Sequence, residues 1–167
     1  MTIEQANQYF AARSDGFATT EQLSAVLPEA VQQVQFVGIA GTAGKTAVAA
    51  LLAEILQKAG YRTGRYHAGY RPLSERIRVD GAPVEPEVFC AAADALSAAE
   101  ELPQGAAELA AAARCFAAAG CKVAVVELPD AGLAKALPKM PVCAVTAIGP
   151  DGVSRSVERL AALAGGV

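Results

Sequence analysis

Residues 35–56 read QFVGIAGTAGKTAVAALLAEIL. The opening of this stretch, with Val34 before it, is a short apolar run rich in β-branched and aromatic residues, the pattern of a strand buried in a parallel sheet. Its second half carries Val48, Leu51, Leu52, Ile55 and Leu56 at helical spacing, which predicts a helix over Lys45–Ala59 stopped by Gly60. Between them Gly41 and Gly44 permit positive backbone φ, so that successive N–H groups can point at one anion where a helix also presents its positive dipole end. In that setting Lys45 reaches β- and γ-phosphate oxygens and the Thr46 hydroxyl is placed to ligate Mg²⁺. The longer G-x-x-x-x-G-K-[ST] pattern would put glycine at position 39, where Ile39 stands. The competing reading of the same residues is a tight strand-to-helix turn with Lys45 as a solvated first-turn side chain.

Outward from this unit, Thr2 with Gln5 and Thr19 with Gln22 form two capping-box patterns, predicting an amphipathic helix over residues 2–13 and a short helix ending near Pro28. YRTGRYH, residues 61–67, reads as a second strand, and ERIRVDGAPV, residues 75–84, as a strand with an Asp80–Gly81 turn that closes a small hairpin. Alanine-rich helices follow at Pro86–Glu100 and Gln104–Ala119, broken by Pro103 and ended by Gly120. KVAVVEL and PVCAVTAI, residues 122–128 and 141–148, are two further buried strands, and Val153–Ala164 is a last amphipathic helix. Strands alternating with helices require crossover connections, which implies an α/β fold with a mostly parallel sheet and helices on both faces. The expected organisation is a single domain over 1–167, with helices in 1–32 and the α/β core in 33–167.

A chain of 167 residues buries enough apolar surface to fold without disulfide or metal. Its net charge of −3 supplies no basic field for wrapping nucleic acid or docking on anionic lipid, so neither is an expected partner. The four cysteines, Cys90, Cys115, Cys121 and Cys143, contain no C-x-x-C pair and read as reduced core residues. No apolar stretch reaches membrane-spanning length, and the first residues lack a basic region followed by an apolar run, so a cytoplasmic location is the expectation.

GTAGKTA resembles the short P-loop of the folylpolyglutamate and dihydrofolate synthases, within the wider Mur ligase superfamily. The resemblance continues collinearly. LLAEILQKAGYRTGRY is similar to the family's helix and second strand, LSERIRVDGAPVEPEVF to its E-R-I-R-V-N-G-x-P-I segment, AAAGCKVAVVEL to the strand that leads to a magnesium-binding glutamate, and PVCAVTAIGPD to V-A-V-I-T-S-I-G-L-D-H. The resemblance implies that Gly41, Thr42, Ala43, Gly44, Lys45 and Thr46 cradle the phosphates of ATP, and that Thr46 and Glu127 hold Mg²⁺. The position of Glu127 agrees, since open α/β sheets bind ligands at the carboxyl ends of their strands. The alternative reading of Glu127 is a strand-end carboxylate satisfied by an arginine or a helix terminus.

Other positions depart from the family pattern. HAGYRPL, residues 67–73, stands where the folate enzymes have T-S-P-H-L, and PDAGLAKAL, residues 129–137, where they have G-L-G-G-R-L-D-A-T-N. Asp151 and Gly152 stand in place of D-H, and Leu163 falls where the family has a carbamylated lysine. The reaction implied by the resemblance is ATP-dependent amide formation between an acid and an amino acid. With those positions replaced, the expectation is an ATP-binding domain that is degenerate or needs a partner chain for ligation. The alternative is a non-catalytic scaffold without nucleotide, with a homodimer through the alanine-rich helices. His67, the only histidine, is either an exposed loop residue or a substitute ligand or acid. Arg71, Arg76 and Arg78 are either solvated hairpin charges or a site for an acidic substrate or partner.

Overall fold

Two threonines start the chain's first two helices as their spacing predicts. Thr2 Oγ1 accepts from Gln5 N at 3.2 Å while Gln5 Oε1 accepts from Thr2 N at 2.8 Å, opening α1, Ile3–Ala11. Thr19 and Gln22 repeat the exchange before α2, Thr20–Ala25. The structure, a computed structural model, describes residues 1–99, 102–128, 131–138 and 140–147. The helix expected at Val153–Ala164, together with Asp151, Gly152 and Leu163, lies outside the described residues.

After a 3₁₀ turn at Glu29–Gln33 come β1, Gln35–Ala40; α3, Lys45–Lys58; and β2, Thr63–Tyr66. A one-turn helix α4, Leu73–Arg76, occupies what reads in sequence as the start of a strand, and the hairpin proper is β3, Ile77–Val79, and β4, Ala82–Pro83. Asp80 and Gly81 both have positive φ, 48° and 81°, as a two-residue hairpin turn requires, and the Asp80 carboxylate accepts from Thr63 N at 2.8 Å. The alanine-rich helices are α5, Pro86–Ser97, and α6, Gln104–Ala118, followed by β5, Val123–Glu127, a 3₁₀ helix at Ala131–Ala136, and β6, Val142–Val145.

The strands form one sheet in the order β4-β3-β2-β5-β1-β6, in which β2, β5, β1 and β6 are parallel and the β3–β4 hairpin is antiparallel. Successive side chains on a strand point to opposite faces, and β5 shows the consequence. Its Val125 meets Ile39, Ala49 and Ala53 beneath α3, whereas Ala124 and Val126 join the larger core with Phe36, Phe89 and Phe116. Helices therefore cover both faces, α3 on one and the remaining helices on the other.

The large residues of α3 divide: Leu51 and Ile55 are 67% and 62% exposed and do not reach the sheet, whereas Leu52 and Leu56 pack against the cluster formed by Ile39, Val125 and the buried Ala49 and Ala53. Small side chains let the helix lie close over Val125 and Ile39, which pushes the larger ones to its flank and outer side. The α6 alanines are not a surface for a second copy, because Ala106, Ala107 and Ala110–Ala113 are buried within this chain against α5 and the sheet. The four cysteines are free thiols; burial pushes those of Cys115 and Cys121 up to about 12. No helix among the described residues is long and apolar enough to cross a membrane.

Candidate functional site

Where β1 ends, the chain makes the loop Gly41–Gly44 and enters α3 at Lys45. Gly41 and Gly44 adopt φ of 130° and 79°, the region that the sequence reserves for glycine. Gly44 is the N-cap in a left-handed conformation, and no side chain among the described residues caps the helix, where the first-turn N–H groups lack intrahelical partners. Thr42, Ala43, Gly44 and Thr46 are exposed, and Gly41 and Lys45 half-buried. The Lys45 ammonium donates to Gly41 O at 2.8 Å, across the loop that it follows.

The end of β6 supports this loop from the neighbouring strand. Thr42 N donates to Ala147 O at 2.7 Å, and Thr146 Oγ1 donates to Ala43 O at 2.5 Å with Ala40 O at 3.2 Å. A Cβ on Gly41 would sit 2.5 Å from Thr146 Oγ1 and 2.8 Å from Ala147 O, so the approach itself excludes any side chain there.

Glu127 closes β5 directly opposite Ile39 of β1, two residues before Gly41. It is 1% exposed. Its Oε2 accepts from Ala68 N at 3.4 Å, and Oε1 is buried with no hydrogen-bond partner among the described residues. A buried carboxylate oxygen left unpaired is costly, and a cation is the chemistry that answers it. Because β5 lies between β2 and β1, Glu127 stands between the loop after β1 and the loop after β2, which begins at His67. His67 is half-buried, with Nδ1 3.1 Å from Ala68 O.

The loop after β2 is tied down from inside the protein. Arg76 is 4% exposed and makes a bidentate pair with Glu108 of α6, Nη2 to Oε1 at 2.6 Å and Nη1 to Oε2 at 2.7 Å. The Tyr66 hydroxyl donates to Glu108 Oε2 at 2.9 Å, and Gln104 Nε2 to Oε1 at 3.2 Å. Arg76 also donates from Nε to Arg71 O at 2.8 Å and from Nη1 toward His67 O at 3.5 Å. Burial pushes the Tyr66 phenol up, with the Glu108 charge acting in the same sense. Burial also works against the Arg76 charge, yet hydrogen bonding and attraction from Glu108 outweigh it and raise the guanidinium.

Arg76 is thus neither a solvated hairpin charge nor a free site for an acidic ligand. Its partner lies 32 residues away in the sequence, and the signal that could find it is that Glu108 is the one acidic residue of an alanine-rich helix. The other two arginines differ. Arg71 pairs with Glu75 at 3.2 Å on the surface, and Arg78 donates to Gly81 O of its own turn at 2.8 Å. A cleft of about 360 Å³ opens between α1 and this loop, lined among others by Asn7, Phe10, Tyr70, Arg71 and Gln104.

The connections that leave β1 and β5 run on opposite faces, α3 on one and the Ala131–Ala136 segment, packed against α2 in the larger core, on the other. Adjacent parallel strands whose connections part in this way open a crevice at their carboxyl ends, where open α/β proteins bind ligands. The molecule is therefore an open, mostly parallel α/β protein with a glycine loop and a buried carboxylate at one such crevice.

Its fold is that of the folylpolyglutamate synthetases. The chain is similar to Mycobacterium tuberculosis folylpolyglutamate synthase complexed with ADP, at 27% identity and a TM-score of 0.74 over 88% of this chain and 37% of that one. Similarity to E. coli FolC in complex with ADP, without folate substrate, is 26% identity and 0.73 over 92% and 40%. The Lactobacillus casei folylpolyglutamate synthetase, at 18% identity and 0.74 over 97% and 51%, bears on the fold alone. The chain thus spans between about a third and a half of the length of these structures. No protein-family model matches it, and no curated protein does.

Proposed function

We propose that this chain binds ATP with Mg²⁺ at the carboxyl ends of β1 and β5, as a folylpolyglutamate synthase-like, Mur ligase-like nucleotide-binding domain over 1–167. The observation that carries the reading is the Glu127 carboxylate, buried beside the strand that runs into the glycine loop, with one oxygen that has no hydrogen-bond partner among the described residues. The ligands of similar structures support it: ADP in the mycobacterial and E. coli enzymes, and Mn, AMPPNP and L-glutamate in a bifunctional folylpolyglutamate synthase/dihydrofolate synthase.

In this reading the loop Gly41–Thr46 cradles the phosphates with backbone amides other than that of Thr42, whose N–H is spent on Ala147 O, and Lys45 neutralises the β- and γ-oxygens. Thr46 and Glu127 hold the metal, whose chemistry is to withdraw charge from the γ-phosphate as it transfers. The wider reaction would join an acid to an amino acid through an acyl phosphate, releasing ADP and then phosphate as the amine nitrogen takes the acyl group. His67–Leu73 replaces a family loop, so the chain is proposed to keep the nucleotide half and to be degenerate for ligation or to need a partner chain.

Isothermal titration with Mg-ATP and the Lys45→Ala variant tests the binding. Loss of one charge-assisted phosphate contact is expected to weaken affinity about 10-fold or more, which is roughly 1.4 kcal/mol. No binding at millimolar nucleotide, with the variant indistinguishable, would replace this reading with the scaffold.

A further inference from the structure

We infer that the Thr146 hydroxyl is a positioning residue for the phosphate loop, holding its peptide planes so that the Gly44 N–H faces outward; the inference rests on the nucleotide reading above. A loop whose N–H groups are to meet an anion must turn its carbonyls elsewhere. Two of the carbonyls in question are accounted for by named donors: Gly41 O by the Lys45 ammonium at 2.8 Å, and Ala43 O by Thr146 Oγ1 at 2.5 Å. A trans peptide sets its N–H antiparallel to its C=O. Fixing the Ala43 carbonyl toward β6 therefore sets the Gly44 N–H away from β6, on the exposed side of the loop.

Three features bind the same strand end to the same loop. Thr146 N donates to Ala40 O at 3.0 Å, continuing the β1–β6 ladder, and Thr42 N donates to Ala147 O at 2.7 Å, so the loop is pinned on both sides of Gly41. The space between Gly41 and Thr146 admits no Cβ. Among the described residues the hydroxyl is the single side-chain donor to an Ala43 carbonyl that α3 does not itself satisfy, since the helix begins two residues later with Val48 N on Gly44 O at 3.1 Å.

The test compares Thr146→Val, which keeps the shape and removes the donor, with Thr146→Ser, which keeps the donor. The first readout is hydrogen exchange at the Thr42 amide without nucleotide, referenced to the Leu128 amide, which donates to Ile39 O at 3.0 Å elsewhere in the sheet. Thr146→Val is expected to speed Thr42 exchange about 10-fold while leaving Leu128 unchanged, as for loss of one hydrogen bond to a strained loop. Thr146→Ser is expected to stay within about twofold of the natural protein.

The second readout is Mg-ATP titration, where the valine variant should bind about 10-fold more weakly and the serine variant normally. Unchanged Thr42 exchange in the valine variant, an equal rise at Leu128, or a serine variant that behaves like valine would overturn the assignment. Should the valine protein fail to fold, Thr146→Ala takes its place, with the same rise at Thr42 expected and the same outcomes overturning the assignment. If the natural protein binds no nucleotide, the nucleotide reading falls, while the exchange arm still decides what Thr146 does.

Discussion

Glu127 has a loop on either side of it, and the two are held by different physics. The loop after β1 is fixed by contacts of the backbone and short polar groups: glycine φ angles, Lys45 on a carbonyl four residues back, and the end of the adjacent strand. The loop after β2 is fixed by a charge buried in the core, since Arg76 grips the carbonyls of Arg71 and His67 while Glu108 answers its charge from α6. One design concentrates its sensitivity in conformation and close approach. The other concentrates it in electrostatics, and the second should break at higher cost.

Removing Glu108 is the largest test of that difference. Glu108→Ala leaves Arg76 buried and uncompensated, which costs about 3–5 kcal/mol, whereas replacing both partners by apolar residues of similar volume is far milder. The thermal midpoint should fall on the order of 10 °C in Glu108→Ala and recover most of that in Arg76→Met/Glu108→Leu. A single variant within about 1 kcal/mol of the natural protein would show that the pair carries little and that the loop is held otherwise.

The same difference explains what could be read from the sequence. Gly41, Gly44, Lys45 and both capping boxes are local: strand, glycine and helix signals fall within a few residues, and structure and spacing agree. The parallel strands and the Asp80–Gly81 turn were legible for the same reason. Arg76, Glu108 and Thr146 were not, because each acts on a segment far along the chain, and an arginine in ERIRV or a threonine in AVTAI carries no sign of its partner. Which residues of α3 lie over the sheet was not legible for a related reason, since helical period shows that large residues recur but not that Ala49 and Ala53 will be the ones set against Ile39 and Val125.

Gly41→Ala is the matching test of the loop after β1 and should have a smaller effect. At φ of 130° a side chain is strained, and its Cβ would lie 2.5 Å from the Thr146 oxygen. Strain of this kind costs about 1–3 kcal/mol, and urea unfolding should show the midpoint moving with the slope unchanged. A neutral Gly41→Ala would mean that the loop and β6 part readily, and would remove the close approach from the comparison.

Arg71→Ala should have the smallest effect, and it separates the two arginines of one loop. Arg71 and Glu75 are 3.2 Å apart with side chains 76% and 47% exposed, so solvent screens the pair and holding it costs side-chain entropy. The part of Arg71 that the buried network uses is its carbonyl oxygen, which accepts from Arg76 Nε at 2.8 Å and survives truncation to alanine. The expected change in stability is therefore within about 0.5 kcal/mol, measured by the same urea titration. A loss comparable to that of Glu108→Ala would move the tether from the buried guanidinium to the exposed one, and the contrast between the two loops would rest on the wrong residue.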